Sequence, residues 1–157
     1  MQKITPFLWF NDNAEEAAAF YTSIFNNSGT CEAARYSDVG PGPKGSVMVV
    51  PFTIQGQEFI ALNGGPIFKF NEAISFVVSC NSQEEVDYYW NALTEGGAES
   101  MCGWLKDKFG VSWQIVPAML PKVMTGPDAA GSKRAMEAMM KMKKLDIATL
   151  QNAYDGK

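Results

Sequence analysis

The sequence predicts an α+β fold of two tandem βαβββ modules that form curved mixed sheets, followed by a C-terminal helical extension. Two observations predict it. Strand-like segments with apolar residues at alternating positions surround one amphipathic helix, and this order occurs twice along the chain. Turn-forming residues such as Gly64-Gly65 and Gly96-Gly97 separate successive segments. Two such modules, each with one exposed sheet face, are expected to bury those faces together in a single domain of residues 1–157.

The first module is predicted to span residues 1–66. Asn11-Asp12-Asn13 offers helix caps after an apolar first strand, and Glu15 and Glu16 follow where the helix dipole favours acids. Gln55-Gly56 is typical of a tight hairpin turn. The predicted elements are a strand over residues 4–10, a helix over 14–25, a strand over 30–37 and hairpin strands over 46–54 and 57–63.

The second module is predicted to span residues 71–117 and to repeat this order. Asn81 or Ser82 is expected to cap its helix, and Gly96-Gly97 is expected to stop it. The predicted elements are a strand over residues 73–80, a helix ending at 95, and strands over 99–107 and 111–116.

The extension, residues 118–157, is predicted to be helical. A helix over residues 132–145 is expected to present one packing stripe of long side chains: Met136, Met139, Met140 and Lys143. Asp146 is expected to cap a last helix. We expect these helices to pack on the sheet or on a partner subunit.

The composition is that of an ordinary globular protein. The chain has 157 residues, of which 46% are hydrophobic and 19% charged, and its net charge is −4. The basic segment Lys141–Lys144 has acidic neighbours, so no nucleic-acid partner is expected, and the apolar runs are too short to predict a membrane partner. Cys31, Cys80 and Cys102 match no zinc or redox spacing, which favours a reducing cytoplasm.

Histidine is absent from the whole sequence. It is the commonest general base near neutral pH and the commonest metal ligand. Its absence excludes a Ser-His-Asp triad, a Cys-His pair and the usual histidine-containing zinc and iron sites. The sequence therefore offers none of the usual histidine-based metal or nucleophile sites.

Several segments carry a resemblance to a known family. The doubled order, with Ala19–Thr22 on the first helix and Asp107–Gly110 before the last strand, resembles the vicinal oxygen chelate (glyoxalase and bleomycin resistance) superfamily. Within it the chain is similar to the PhnB-like group, often labelled 3-demethylubiquinone-9 3-methyltransferase. The segments that carry this similarity are Ile4–Phe10, Ala61–Pro66, Phe68–Ser75, Cys102–Asp107 and Ala135–Met142.

The resemblance implies a cavity inside each curved sheet, with four metal ligands on its floor, typically two histidines and two acids. It places those four positions at Pro6, at Ala61 or Asn63, at Ser75 and at Gln114. Neutral amide and hydroxyl oxygens are weak ligands for the divalent ions that this superfamily uses. The resemblance therefore implies a glyoxalase-like frame without its usual metal site, and neither a metal nor another cofactor is expected.

Six residues are candidates for lining a ligand-binding cavity. They are Phe7, Asn63, Ser75, Cys102, Trp104 and Gln114. Alternation along the strand is expected to place Cys102 and Trp104 on one face, where an aromatic wall with few polar groups suits a small molecule. Each candidate has a structural alternative: Gln114 and Asn63 as satisfied strand amides, and the aromatic residues and Cys102 as core. No catalytic residue is assigned.

The predicted function is a cytoplasmic, metal-free PhnB-like protein that binds a small organic molecule in a sheet-lined cavity. One alternative is an enzyme of the superfamily, a lyase or isomerase or the methyltransferase of the family label, with Glu58 or Glu72 moving protons. Another is a dimer that sequesters a ligand without turnover. A homodimer is expected because the superfamily completes its cavities by pairing modules.

Overall fold

The computed structural model describes residues 3–157, and the first two residues of the predicted first module lie outside that range. The chain divides into two compact units, one ending at Phe70 and one beginning at Asn71. The first unit contains β1 (Phe7–Phe10), α1 (Ala14–Ile24), β2 (Gly29–Thr30), β3 (Ala34–Arg35), β4 (Val47–Ile54) and β5 (Gln57–Asn63). The second contains β6 (Ser75–Cys80), α2 (Gln83–Thr94), β7 (Ala98–Glu99), β8 (Trp104–Lys106), β9 (Ser112–Pro117), α3 (Leu120–Met124), α4 (Ala129–Met139) and α5 (Ile147–Asp155).

The first unit is a mixed sheet with α1 on one face. Its strand order is β1-β5-β4-β2, with β3 also paired to β4, and β1 runs parallel to β5. The ring of Tyr21 on α1 stacks on Phe52 at 6.0 Å, and Phe52 stacks on Phe59 at 5.3 Å. All three rings are buried, so this face of the sheet and α1 form the core of the unit.

The second unit repeats this arrangement. Its strand order is β6-β9-β8-β7, with β6 parallel to β9. The Ser82 hydroxyl caps α2 by accepting a hydrogen bond from the Glu85 amide, and α2 buries Val86, Trp90 and Leu93. The predicted α+β architecture of two tandem modules with a helical extension is therefore confirmed. Within the described part of the chain, no helix is long and apolar enough to cross a membrane.

Two predicted strands are interrupted. The strand predicted over residues 30–37 is two short strands, β2 and β3, separated by residues 31–33. The strand predicted over residues 99–107 is broken at Cys102 and Gly103, which have φ angles of +59° and +83°. Left-handed residues cannot continue a strand, so the alternation of side chains is lost at this point. The Cys102 and Gly103 amides donate to the carbonyls of Met142 and Lys143 instead.

The predicted methionine stripe of the extension is wrong. The helix ends at Met139 rather than at residue 145, because the chain leaves the helix to bond the turn at Cys102. Met136 and Met140 are 42% and 59% exposed, whereas Gly131 and Ala135 are buried. A Cβ on Gly131 would lie 2.7 Å from the Tyr154 carbonyl oxygen, so α4 approaches α5 too closely for long side chains.

A buried carboxylate fixes the turn between β8 and β9. Asp107 is 3% exposed, and its Oδ1 accepts hydrogen bonds from the amides of Phe109 at 2.9 Å and Val111 at 3.0 Å. Its Oδ2 accepts from the indole of Trp113 at 2.8 Å. Each carboxylate oxygen thus has a donor, and the turn is tied to the core strand β9.

The substitution Asp107→Asn is expected to lower the free energy of unfolding by about 2 kcal/mol, because an amide has one acceptor oxygen and cannot serve both groups of donors. Urea denaturation followed by tryptophan fluorescence measures the loss. The matched control is Asp38→Asn, whose carboxylate pairs with Lys44 at the surface and is expected to contribute less than about 1 kcal/mol. Equal losses in the two variants would contradict this role for Asp107.

Candidate functional site

The candidate site is the face of the second sheet that α2 does not cover, referred to below as the open face. Because side chains alternate along a strand, the burial of Val78, Ile115 and Leu105 on the α2 side sends their neighbours to the other side. The residues on the open face are Ser75, Val77, Ser79, Trp104, Lys106, Ser112, Gln114 and Val116. Three of the six candidate residues are therefore brought together here.

The centre of this face is a hydrogen bond between two of the candidates. The Gln114 amide donates to the Ser75 hydroxyl at 2.9 Å, across the parallel pair β6 and β9. Trp104 lies directly opposite Gln114 in the antiparallel pair of β8 with β9. All three side chains are half-buried. A polar pair beside an aromatic ring can hold a planar molecule and give it a hydrogen-bonding partner.

An ion pair borders the same face. Lys106 forms a salt bridge with Glu72, and this contact lowers the pKa of the Glu72 carboxyl, which stays ionised at acidities where a free glutamate would not. Both residues, with Trp104 and the buried Ser112, line a cavity of about 230 Å³. Lys106 is absent from the sequence-based candidates, although the alternation Trp104-Leu105-Lys106 could have indicated it.

Phe7 and Asn63 lie in the first sheet on opposite faces. Phe7 is beside Ile60 in the parallel pair of β1 with β5, on the face away from α1, and is 55% exposed. Asn63 follows Phe59 and Ala61 on the α1 side. Its Oδ1 accepts from the Ala14 amide at 2.8 Å, and its Nδ2 donates to Glu15 and to the Val47 carbonyl, both at 3.1 Å. Asn63 therefore ties β5 to the start of α1 and does not share a face with Phe7.

Cys102 does not share a face with Trp104. It lies in the turn before β8, where its positive φ interrupts the alternation that the sequence suggested. Its Sγ lies 3.7 Å from the Met139 carbonyl oxygen and 3.8 Å from the Met140 Sδ. The thiol therefore packs against the end of α4 rather than on the open face.

Comparison with known proteins places the chain in a family. Residues 2–116 match the family described as 3-demethylubiquinone-9 3-methyltransferase. The chain belongs to this family. It is 42% identical to a PhnB protein from Bacillus cereus, with 74% of this chain and 100% of that one aligned and a TM-score of 0.68. No curated protein matches the sequence.

More distant structures share the fold. A Pseudomonas aeruginosa protein is 23% identical, with 74% of this chain and 98% of that one covered and a TM-score of 0.60. The fosfomycin resistance protein FosX from Listeria monocytogenes, complexed with Mn(II) and sulfate, is 19% identical over 73% and 92% of the two chains, with a TM-score of 0.50. At these identities, the two structures show that the fold is shared and no more than that.

The donor groups of this PhnB-like protein do not fit a divalent metal ion. Pro6 has no side-chain donor, and its carbonyl accepts from the Ile60 amide at 3.0 Å. Ala61 is buried, and Ser75 and Gln114 bond to each other. Across residues 3–157, no group of three or more histidine, cysteine, aspartate or glutamate side chains is placed to hold a metal. Manganese and zinc require anionic or imidazole ligands, which these positions lack.

Cys31 and Cys80 are expected to differ in their reactivity towards alkylating reagents. Cys80 is 1% exposed, and burial raises the pKa of its thiol to about 11, so roughly a thousandth of it is thiolate at pH 8. Cys31 is exposed. Iodoacetamide labelling of the native protein followed by peptide mass spectrometry should modify Cys31 first and leave Cys80 unmodified until denaturant is added. Native labelling of Cys80 at the rate of Cys31 would contradict this assignment.

Proposed function

We propose that this PhnB-like protein binds a small organic molecule on the open face of the second sheet. The observation that carries the proposal is the half-buried hydrogen bond between Gln114 and Ser75 beside Trp104. Gln114 uses one N–H in that bond, which leaves its carbonyl oxygen as an acceptor, and the Ser75 hydroxyl keeps its own proton to donate. A ligand with a donor and an acceptor near a planar ring matches these groups.

The charges at the edge of the face refine the ligand class. Lys106 and Glu72 neutralise each other, so this part of the site favours an uncharged ligand over an anion or a cation. Ser75 and Gln114 have neutral side chains, which also favours an uncharged ligand. We therefore expect a planar, uncharged molecule with a carbonyl or hydroxyl group, bound without a metal ion.

Catalysis is the alternative, and Glu72 is the group that supports it. Its carboxylate lines the cavity next to Trp104, where it could accept a proton in a lyase or isomerase reaction. Its lowered pKa makes it a weak base, which favours binding without turnover. The methyl transfer named in the family description has less support, because the two described sheets are mixed and neither has the doubly wound parallel order of a nucleotide-binding fold.

Fragment binding followed by two-dimensional NMR of ¹⁵N-labelled protein tests the site. Neutral phenolic and aromatic amide fragments are expected to shift the side-chain signals of Trp104 and Gln114. Gln114→Ala should weaken the binding about tenfold, the value of one lost hydrogen bond in a half-buried site. The control is Gln57→Ala, the same substitution at an exposed position on β5 in the first unit. Equal binding by both variants would overturn the proposal.

The same experiment separates the alternatives. Adding Mn²⁺ or Zn²⁺ should shift no open-face signal and should leave fragment affinity unchanged, since the donors are neutral. A stoichiometric metal bound at Ser75 and Gln114 would refute the metal-free site. If the parent protein converted a bound fragment to a product and Glu72→Gln abolished that conversion, the enzyme alternative would be favoured over binding without turnover.

We also propose that the protein is a cytoplasmic homodimer. Phe7 lies on the face of the first sheet away from α1 and is 55% exposed, and a second subunit that covered this face would remove the apolar ring from water. Cys31, Cys80 and Cys102 are free thiols, as in a reducing compartment. Light scattering at micromolar concentration should give a mass twice that of one chain, with Phe7→Asp shifting it towards the monomer. A monomeric parent protein would contradict the dimer.

A further inference from the structure

A second cavity lies in the first unit, where α1 begins. Its volume is about 540 Å³, within the range of small-molecule sites. Five segments of the first unit form its walls. They are the turn before α1, the first turn of α1, the end of β3, the glycine- and proline-rich loop before β4 and the turn after β5. Nothing in the proposed open-face function uses these residues.

Charges of both signs face this cavity. Asp12 and Glu15 contribute carboxylates, and Arg35 contributes a guanidinium. Within the described residues, no salt bridge joins Arg35 to an acid. Its Nη1 donates to the Gly45 carbonyl at 2.9 Å, which orients the guanidinium and uses one of its five N–H groups. Asp12, Glu15 and Arg35 are all solvent-exposed, so a ligand can reach their charged groups.

The cavity is held in shape by hydrogen bonds. The Tyr36 hydroxyl donates to the Asn63 carbonyl at 2.7 Å, and Asn63 in turn bonds α1 and β4 through its side chain. The loop before β4 lies against the ring of Tyr36, because a Cβ on Gly42 would come within 2.4 Å of that ring. The walls therefore need little ordering when a ligand binds, which favours affinity.

We propose that this cavity binds a small zwitterion, a molecule with an ammonium and a carboxylate group such as a free α-amino acid. Asp12 and Glu15 would accept hydrogen bonds from the ammonium, and Arg35 would donate to the carboxylate. Pro41, Pro43 and Val47 add apolar wall for the side chain of the ligand. A ligand with only one charge would leave the charged group of opposite role in the cavity without an ionic partner.

Three probes of similar shape test the charge pattern. L-Phenylalanine carries both charges, 2-phenylethylamine carries only the ammonium, and 3-phenylpropanoate carries only the carboxylate. Titrations of ¹⁵N-labelled full-length protein should show the tightest binding for L-phenylalanine, with shifts at the amides of Glu15 and Arg35 and at the Asn63 side chain. Shifts confined to the open face of the second sheet, or no preference for L-phenylalanine over both other probes, would overturn the proposal.

Variants then assign each charge. Arg35→Gln should weaken L-phenylalanine about fivefold and leave 2-phenylethylamine unchanged, whereas Asp12→Asn and Glu15→Gln should weaken L-phenylalanine and 2-phenylethylamine alike. The matched controls are Lys69→Gln and Glu32→Gln, exposed residues outside the cavity that change the net charge equally. Gln can still accept from Asn63, so Glu15→Gln keeps the fold of this region. An effect of Arg35→Gln no larger than that of Lys69→Gln would refute the zwitterion site.

Discussion

The parallel pairing of β6 with β9 is the constraint on which the second unit depends. It sets Val77 beside Gln114, and the antiparallel strand β8 then places Trp104 opposite Gln114. Because α2 covers one face of this sheet, the two-residue period of the strands leaves these side chains on the other. A shift of one residue in that register would send Gln114 into the core and bring Ile115 to the surface. Backbone pairing therefore brings together the side chains of the candidate site, and the hydrogen bond from Gln114 to Ser75 forms within that arrangement.

This chain has the fold of its family, but the positions that the resemblance assigns to metal ligands lack donor groups that suit a metal ion. The fold is shared with FosX at 19% identity, yet the positions that the resemblance assigns to metal ligands hold Pro6, Ser75 and Gln114. What Ser75 and Gln114 form is a hydrogen bond, which suits recognition of a neutral molecule. The sheet can thus keep these two side chains next to each other when their chemistry differs, because the backbone register sets their positions.

The extension adds structure beyond the family match, which ends at Val116. It is part of the second unit rather than an appendage, since Leu145 is buried and the carbonyls of Met142 and Lys143 accept from the turn at Cys102 and Gly103. Gln83 on α2 bonds to the Leu145 carbonyl at 3.2 Å and to the Ile147 amide at 2.9 Å. These contacts explain why α4 ends before residue 145. The residues that follow it form hydrogen bonds with the turn at Cys102 and Gly103 instead of continuing the helix.

The sequence by itself determined the repeated strand and helix order, the helix caps at Ser82 and Asp146 and the turn at Gln55-Gly56. These follow from local signals: capping side chains, turn residues and the period of a strand. Tertiary structure decided the positions of Asn63, Cys102 and Met136. Asn63 turns to the start of α1, Cys102 adopts a left-handed conformation against the extension, and the close approach of α4 to α5 leaves Met136 outside. The position of each of these residues depends on contacts with residues distant in the sequence, which a local sequence pattern cannot predict.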